Sequence, residues 1–157
     1  MSLPAPSLRH VCDLSINVSP PIEAGQTQGL CTRGKRRIIP ITGGTVRGRI
    51  NGTVLHAGAD FQMITSDTTA DLDARYILRL DDASHVYVHN TALRRASAED
   101  VDKLVRGEPV DPARVYFRCA PRFEVENPAM LWLTQSLFIG SATRSPHGVE
   151  LSFYEVM

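Results

Sequence analysis

Apolar and polar side chains alternate with a period of two through most of this chain, and little other than a β-rich fold can bury the apolar half of such a pattern. Successive residues of a strand point to opposite faces, so the alternation is geometric in origin. In Asp71–Leu80, Leu72, Ala74, Tyr76, Leu78 and Leu80 share one face. Val86 and Val88 alternate with His85, Tyr87 and His89, and Val115, Phe117 and Cys119 alternate with Arg114, Tyr116 and Arg118. His10–Val18 repeats the pattern, with Pro20-Pro21 ending it because proline lacks the N–H a ladder needs. Further strands are expected over Arg36–Ile41, Thr45–Leu55, Phe61–Ile64, Leu131–Ile139 and Val149–Val156, with Ala24–Gly34 as a loop. Asn51-Gly52 marks either a type I′ hairpin or a bulge in one long strand.

One segment departs from this period. Ser97 is placed to cap a helix running to about Arg106, with Asp100 three residues on and Val101, Leu104 and Val105 as its apolar stripe. Gly107, Pro109 and Pro112 stop it. Eight to ten strands with one short helix must dispose of their sheet edges. Closure into a single antiparallel barrel does so, and a two-sheet sandwich is the alternative. A length of 157 residues suits one domain, 1–157, with residues 1–9 as a flexible arm.

Charge narrows the partners. Lys and Arg number 17, Asp and Glu also 17, so the chain lacks the basic excess of a nucleic-acid binder or a polybasic membrane-surface protein. The longest apolar stretch, Met130–Ala142, is interrupted by Thr134, Gln135 and Ser136 and is too short to span a bilayer. The first residues have no basic and apolar leader pattern, which makes cytoplasm the expectation. Cys12, Cys31 and Cys119 form no C-x-x-C pair and read as reduced thiols. No phosphate loop, nucleophile elbow or dinucleotide fingerprint is present, so no cofactor is expected. His85 and His89 share a strand face but are too far apart along it to hold one metal ion together.

What remains is a set of polar side chains on alternating strand faces. Asp73, Arg75 and Arg79 share one strand, His85, Tyr87 and His89 another, Tyr116 and Arg118 a third. They are either solvated on the outside or convergent inside a cavity, and a one-residue change of phase exchanges the two. Arginine and tyrosine suit an enolate oxygen, while a carboxylate or neutral histidine accepts the proton. Asp60, after Gly58-Ala59 and before Phe61-Gln62, is read as lying where a loop enters a strand. The expected catalytic residues are Asp60, His89, Arg75 and Tyr87, and the expected substrate contacts are Gln62, Tyr116, Arg118, Arg122 and Trp132.

The ordered series Arg37-Ile38-Ile39-Pro40-Ile41-Thr42-Gly43-Gly44-Thr45, Gly58-Ala59-Asp60-Phe61-Gln62, Ala74-Arg75-Tyr76 and Tyr87-Val88-His89-Asn90 resembles the DUF3237 family. Gly107-Glu108-Pro109-Val110-Asp111-Pro112, Tyr116-Phe117-Arg118, Pro121-Arg122-Phe123-Glu124, Trp132-Leu133 and Tyr154-Glu155-Val156 continue it. The resemblance implies an antiparallel barrel similar in plan to lipocalins and allene oxide cyclase, and no settled activity. His89, Phe61, Thr134 and His56-Ala57 stand where such proteins commonly carry arginine, tryptophan, asparagine and Pro-Gly.

The residues thus point to a small-molecule-binding barrel. One hypothesis is a cofactor-independent isomerase, cyclase or lyase acting by acid–base chemistry on a carbonyl compound, aromatic ones included. The other is a carrier or sensor with the same cavity and no chemistry. A homo-oligomer built on the polar faces is left open.

Overall fold

In the computed structural model, which describes residues 1–157, the first strand closes the sheet by pairing on both its edges. β1 (Leu8–Val18) runs antiparallel to β3 (Arg33–Gly48) on one side and β9 (Gly148–Val156) on the other. Between them lie β4 (Gly52–Ile64), β5 (Thr69–Leu80), β6 (His85–Arg95), β7 (Tyr116–Val125) and β8 (Phe138–Ser145), each antiparallel to its neighbour. The result is a closed eight-stranded barrel, not a sandwich, with β2 (Ile22–Gln28) added on the edge of β3. Closure removes the exposed edges that an open sheet of this size would present.

Local chemistry explains the main junctions. β3 has β2 as partner as far as Ile38 and β1 from Ile41 onward, and Pro40 falls in the gap between the two. Asn51 forms the hairpin between β3 and β4: its amide donates to the Gly48 carbonyl and its Oδ1 accepts from the Gly48 N–H. Ser97 caps α1 (Ala98–Val105), its hydroxyl accepting from the Asp100 N–H at 3.1 Å. Val101 and Leu104 form the buried stripe of that helix.

Five expectations need correction. Leu8 and Arg9 belong to β1 rather than to a flexible arm. The runs Arg36–Ile41, Thr45–Leu55 and Phe61–Ile64 are two long strands, β3 and β4, parted at Asn51. Ala24–Gly34 is not all loop, because Ile22–Gln28 forms β2, a polar edge strand held by backbone pairing rather than by an apolar face. Leu131–Ile139 is not one strand. Pro128–Thr134 forms a 3₁₀ segment, started by Asn127 accepting from the Ala129 N–H, and β8 begins only at Phe138. Asp60 does not lie at a loop junction but within β4, which runs unbroken to Ile64.

The interior divides into two halves. At the end where β3 turns into β4, Val11, Leu14, Val46, Leu78, Val86, Leu133 and Phe153 pack tightly, each nearly sealed from solvent. Phe123 packs edge-on to Phe138 at 5.2 Å and to Phe153 at 5.9 Å. Burying each such side chain contributes roughly 1.5–3 kcal/mol. The 3₁₀ segment plugs this end through Leu133, with Trp132 against Phe138. Cys12 and Cys119 are buried free thiols, and burial pushes them up to about 12 and about 11; Cys31 is exposed. No helix is long and apolar enough to cross a membrane.

Candidate functional site

The other half of the barrel is hollow. A cavity of about 270 Å³ opens there, walled by inward side chains from all eight barrel strands. That is just below the usual range for ligand pockets. Pro20-Pro21 and the β8–β9 turn at Ser145–Gly148 rim its mouth. The wall is largely apolar, with Ile39, Ile41, Leu72, Phe117 and Leu151, but it is interrupted by Asp60, Gln62, Tyr76, Asn90, Arg94 and Arg144.

Strand register stacks these groups in layers. Tyr76 lies level with Gly58 and Val88 at the floor. One rung up, Asp60 and Asn90 flank Ala74. The next inward rung holds Gln62 beside Arg37 and Leu72, and the one above it holds Arg94 beside Ala70 and Phe117. β4 owes its phase to a bulge. Between Val54 and Gly58 it spends two more residues than β5 does, so parity is kept and Asp60 and Gln62 face inward like Val54.

Gln62 Nε2 donates to Asp60 Oδ2 at 2.8 Å, while Asp60 Oδ1 is buried without a partner. Burial raises the Asp60 pKa, against the hydrogen bond from Gln62 and the charge of Arg94. Arg94 is 2% exposed, and its Nε and Nη2 are also unpartnered. Burial, with Arg144 and Arg37 nearby, lowers its pKa to about 10, so it stays a cation at neutral pH. The Tyr76 hydroxyl is buried and unpartnered, and burial holds it well above the ordinary phenol value. In all, seven of the ten buried side-chain polar atoms without a partner belong to this one cavity. Buried polar atoms are normally satisfied, and here most of the unsatisfied ones gather round one hollow.

Comparison with known proteins agrees with the fold. Residues 6–156 match a family model described as "Protein of unknown function (DUF3237)". The chain belongs to the DUF3237 family. It is 48% identical over 125 residues to UPF0311 protein RPA1785 of Rhodopseudomonas palustris, covering 79% of this chain and 82% of that one. It is 40% identical over 154 residues to UPF0311 protein blr7842 of Bradyrhizobium diazoefficiens, covering 98% and 99%. The crystal structure of RPA1785, described as a conserved protein of unknown function, superposes with a TM-score of 0.90 at 41% identity, covering 99% of this chain and all of that one. A structure described as an enzyme from Penicillium herquei shares the fold with a TM-score of 0.73, at 16% identity and covering 100% and 98%.

The sequence candidates separate sharply in this DUF3237 barrel. Asp60 and Gln62 line the cavity. Arg75, Tyr87 and His89 do not reach it, because their parity places them on the outer face, where Ala74, Tyr76, Val88 and Asn90 take the inner one. There His89 Nε2 lies 2.8 Å and Arg75 Nε 3.3 Å from Asp73 Oδ1. Burial opposes ionisation of Asp73, but these hydrogen bonds outweigh it and lower its pKa. Arg122 lines an open groove on that outer face. Tyr116 and Arg118 are likewise outside, the Arg118 guanidinium stacked 5.5 Å over the Tyr116 ring. Trp132 sits at the packed end, with Arg49 at 4.1 Å over its ring.

Alternation alone misses Tyr76, Asn90, Arg94 and Arg144. Three of them carried a readable signal. Tyr76 lies in phase with Leu72 and Leu78, and Asn90 and Arg94 in phase with Val86 and Val88, so each is a polar group in an apolar register.

Proposed function

We propose that this protein is a cofactor-independent enzyme of the isomerase, cyclase or lyase type, moving a proton next to a carbonyl group. The observation that carries the reading is the free Asp60 Oδ1, buried in a mostly apolar cavity near a buried arginine and an un-ionised phenol. A carboxylate so desolvated is a stronger base than one in water. Asp60 takes a proton from the carbon beside the carbonyl. The C–H electron pair becomes a C=C bond, and the carbonyl π pair moves onto oxygen. The Tyr76 hydroxyl donates to that oxygen, and the positive charge of Arg94 stabilises it. Asp60 then returns the proton to the same carbon or to a conjugated one, giving isomerisation. Alternatively the enolate expels a β-substituent with its bonding pair, or attacks an internal electrophile and displaces a bonding pair there, and the atom that receives the pair takes the proton from Asp60. That the same fold houses a protein described as an enzyme is support by analogy of fold only.

The test is deuterium exchange into a panel of small ketones and oxo acids, followed by NMR with and without the protein. Exchange above the buffer rate is expected, falling roughly 10²–10⁴-fold in Asp60→Asn. Tight binding of a compound that is recovered without exchange would instead assign the cavity to a carrier or sensor.

A further inference from the structure

A guanidinium removed from water is stable only when paired and hydrogen-bonded. Arg94 departs from that rule, because it is 2% exposed and two of its nitrogens have no protein partner. Arg144 lines the same cavity from β8, near its rim. Arg37, also 2% exposed, lies near enough to depress the pKa of both. Three guanidinium groups thus gather at the mouth end of the barrel. Of the nearby carboxylates, Glu23 is engaged by Arg37 at 2.9 Å and by Lys35 at 3.8 Å. Asp60 lies two rungs lower in the cavity, with one carboxylate oxygen held by Gln62. The pair Arg94 and Arg144 is therefore short of negative charge, in a cavity whose remaining wall is mainly apolar.

We infer that the occupant of this cavity is a small oxo acid, its carboxylate held by Arg94 and Arg144 and its apolar body lying deeper, against Ile39, Ile41 and Leu151. Only the placement of its carbonyl beside Asp60 rests on the proton-transfer reading above. The planar guanidinium fork matches a carboxylate. A bare inorganic anion would leave the apolar wall unused. The layering also sets the direction of binding: the carboxylate sits at the Arg94 rung and the carbonyl deeper, towards Asp60, Asn90 and Tyr76.

Isothermal titration calorimetry of the wild-type chain tests this with matched probes. Phenylpyruvate and 2-oxohexanoate are set against phenylacetone and 2-hexanone, which carry a methyl group in place of the carboxylate. Each acid is expected to bind at least tenfold tighter than its ketone. Arg144→Met, at the rim, should lose at least tenfold in acid affinity and leave ketone affinity unchanged, and Arg94→Met should lose acid affinity by at least as much. Equal affinity for acid and ketone, no binding of either acid at millimolar concentration, or inorganic phosphate outcompeting both acids would overturn the inference. Deuterium exchange at C3 of the bound acids separates the two readings. Binding without exchange leaves the carboxylate site standing and removes the chemistry. Exchange of ketones at the rate of the acids, with no preference in binding, does the reverse.

Discussion

In the proposed reaction Asp60 couples function to stability through one proton. Its pKa is raised in the folded chain, chiefly by burial. A raised native pKa means that the protonated form is favoured by folding. The stability it contributes is complete below the unfolded value of about 3.9 and is lost as pH rises through the native one. Asp60→Asn removes the charge at every pH. The variant is therefore expected to melt with the wild type at about pH 4 and below, and above it near neutral pH, while losing proton exchange. Circular-dichroism melts across that range check this, and a lower melting point for the variant near neutrality would contradict it. The same shift makes wild-type exchange increase with pH through the native pKa, since only the carboxylate accepts a proton. At this scale the residue types were legible but not their faces: Asp60 and Gln62 line the cavity, from within a strand rather than at a loop junction, whereas Arg75, Tyr87 and His89 lie on the outer face. The informative residues were the polar ones out of place among valines and leucines, Asn90 and Arg94.

Single elements fix where those side chains end up. Gly58 ends the bulge that keeps Asp60 in phase, with φ +138° and with the Arg75 carbonyl only 2.1 Å from where a Cβ would lie. Gly58→Ala is expected to destabilise the barrel by about 1–3 kcal/mol and to lower exchange by more than the unfolded fraction explains. Denaturant titration beside activity separates the two effects. Glu155 fastens the opposite end. It accepts hydrogen bonds from Arg9 on β1 at 2.7 Å, Ser136 at 2.8 Å and Arg49 in the β3–β4 turn at 3.2 Å. The bond from Arg9, then those from Ser136 and Arg49, outweigh desolvation and hold its pKa at about 2. A depressed native pKa stabilises above the unfolded carboxylate value and is lost as pH falls towards the native one. Glu155→Gln should thus cost about 1–3 kcal/mol near neutrality, a gap that narrows in urea titrations as pH is lowered through about 4. Most strands were legible because one face is dry. β2 was not, since an edge strand needs no apolar face. The 3₁₀ plug was not either, because a short apolar run reads alike as strand or buried turn.

On the scale of the whole barrel, a packed half supplies stability and a hollow half supplies the candidate site. Period-two alternation supports closure but is silent on how the interior is filled, since both halves show it equally. The cavity arises because inward positions there carry small or polar groups, Ala74, Asn90 and Ala92 among them, where the other half carries Val86, Val88, Phe123 and Phe153. Two substitutions read out this division. Leu133→Ala, in the packed end and 1% exposed, should cost about 2–5 kcal/mol through the space it leaves, with little change in affinity among molecules that remain folded. Ala74→Leu places a branched side chain into the cavity between Asp60 and Asn90. Its stability should equal or exceed that of the wild type, because it buries apolar surface where there is room. Its affinity for phenylpyruvate should fall at least tenfold. Calorimetric melting and titration of both variants give the comparison. If Ala74→Leu melted well below the wild type with binding intact, the interior around residue 74 would already be filled, and the site would have to be sought outside the barrel.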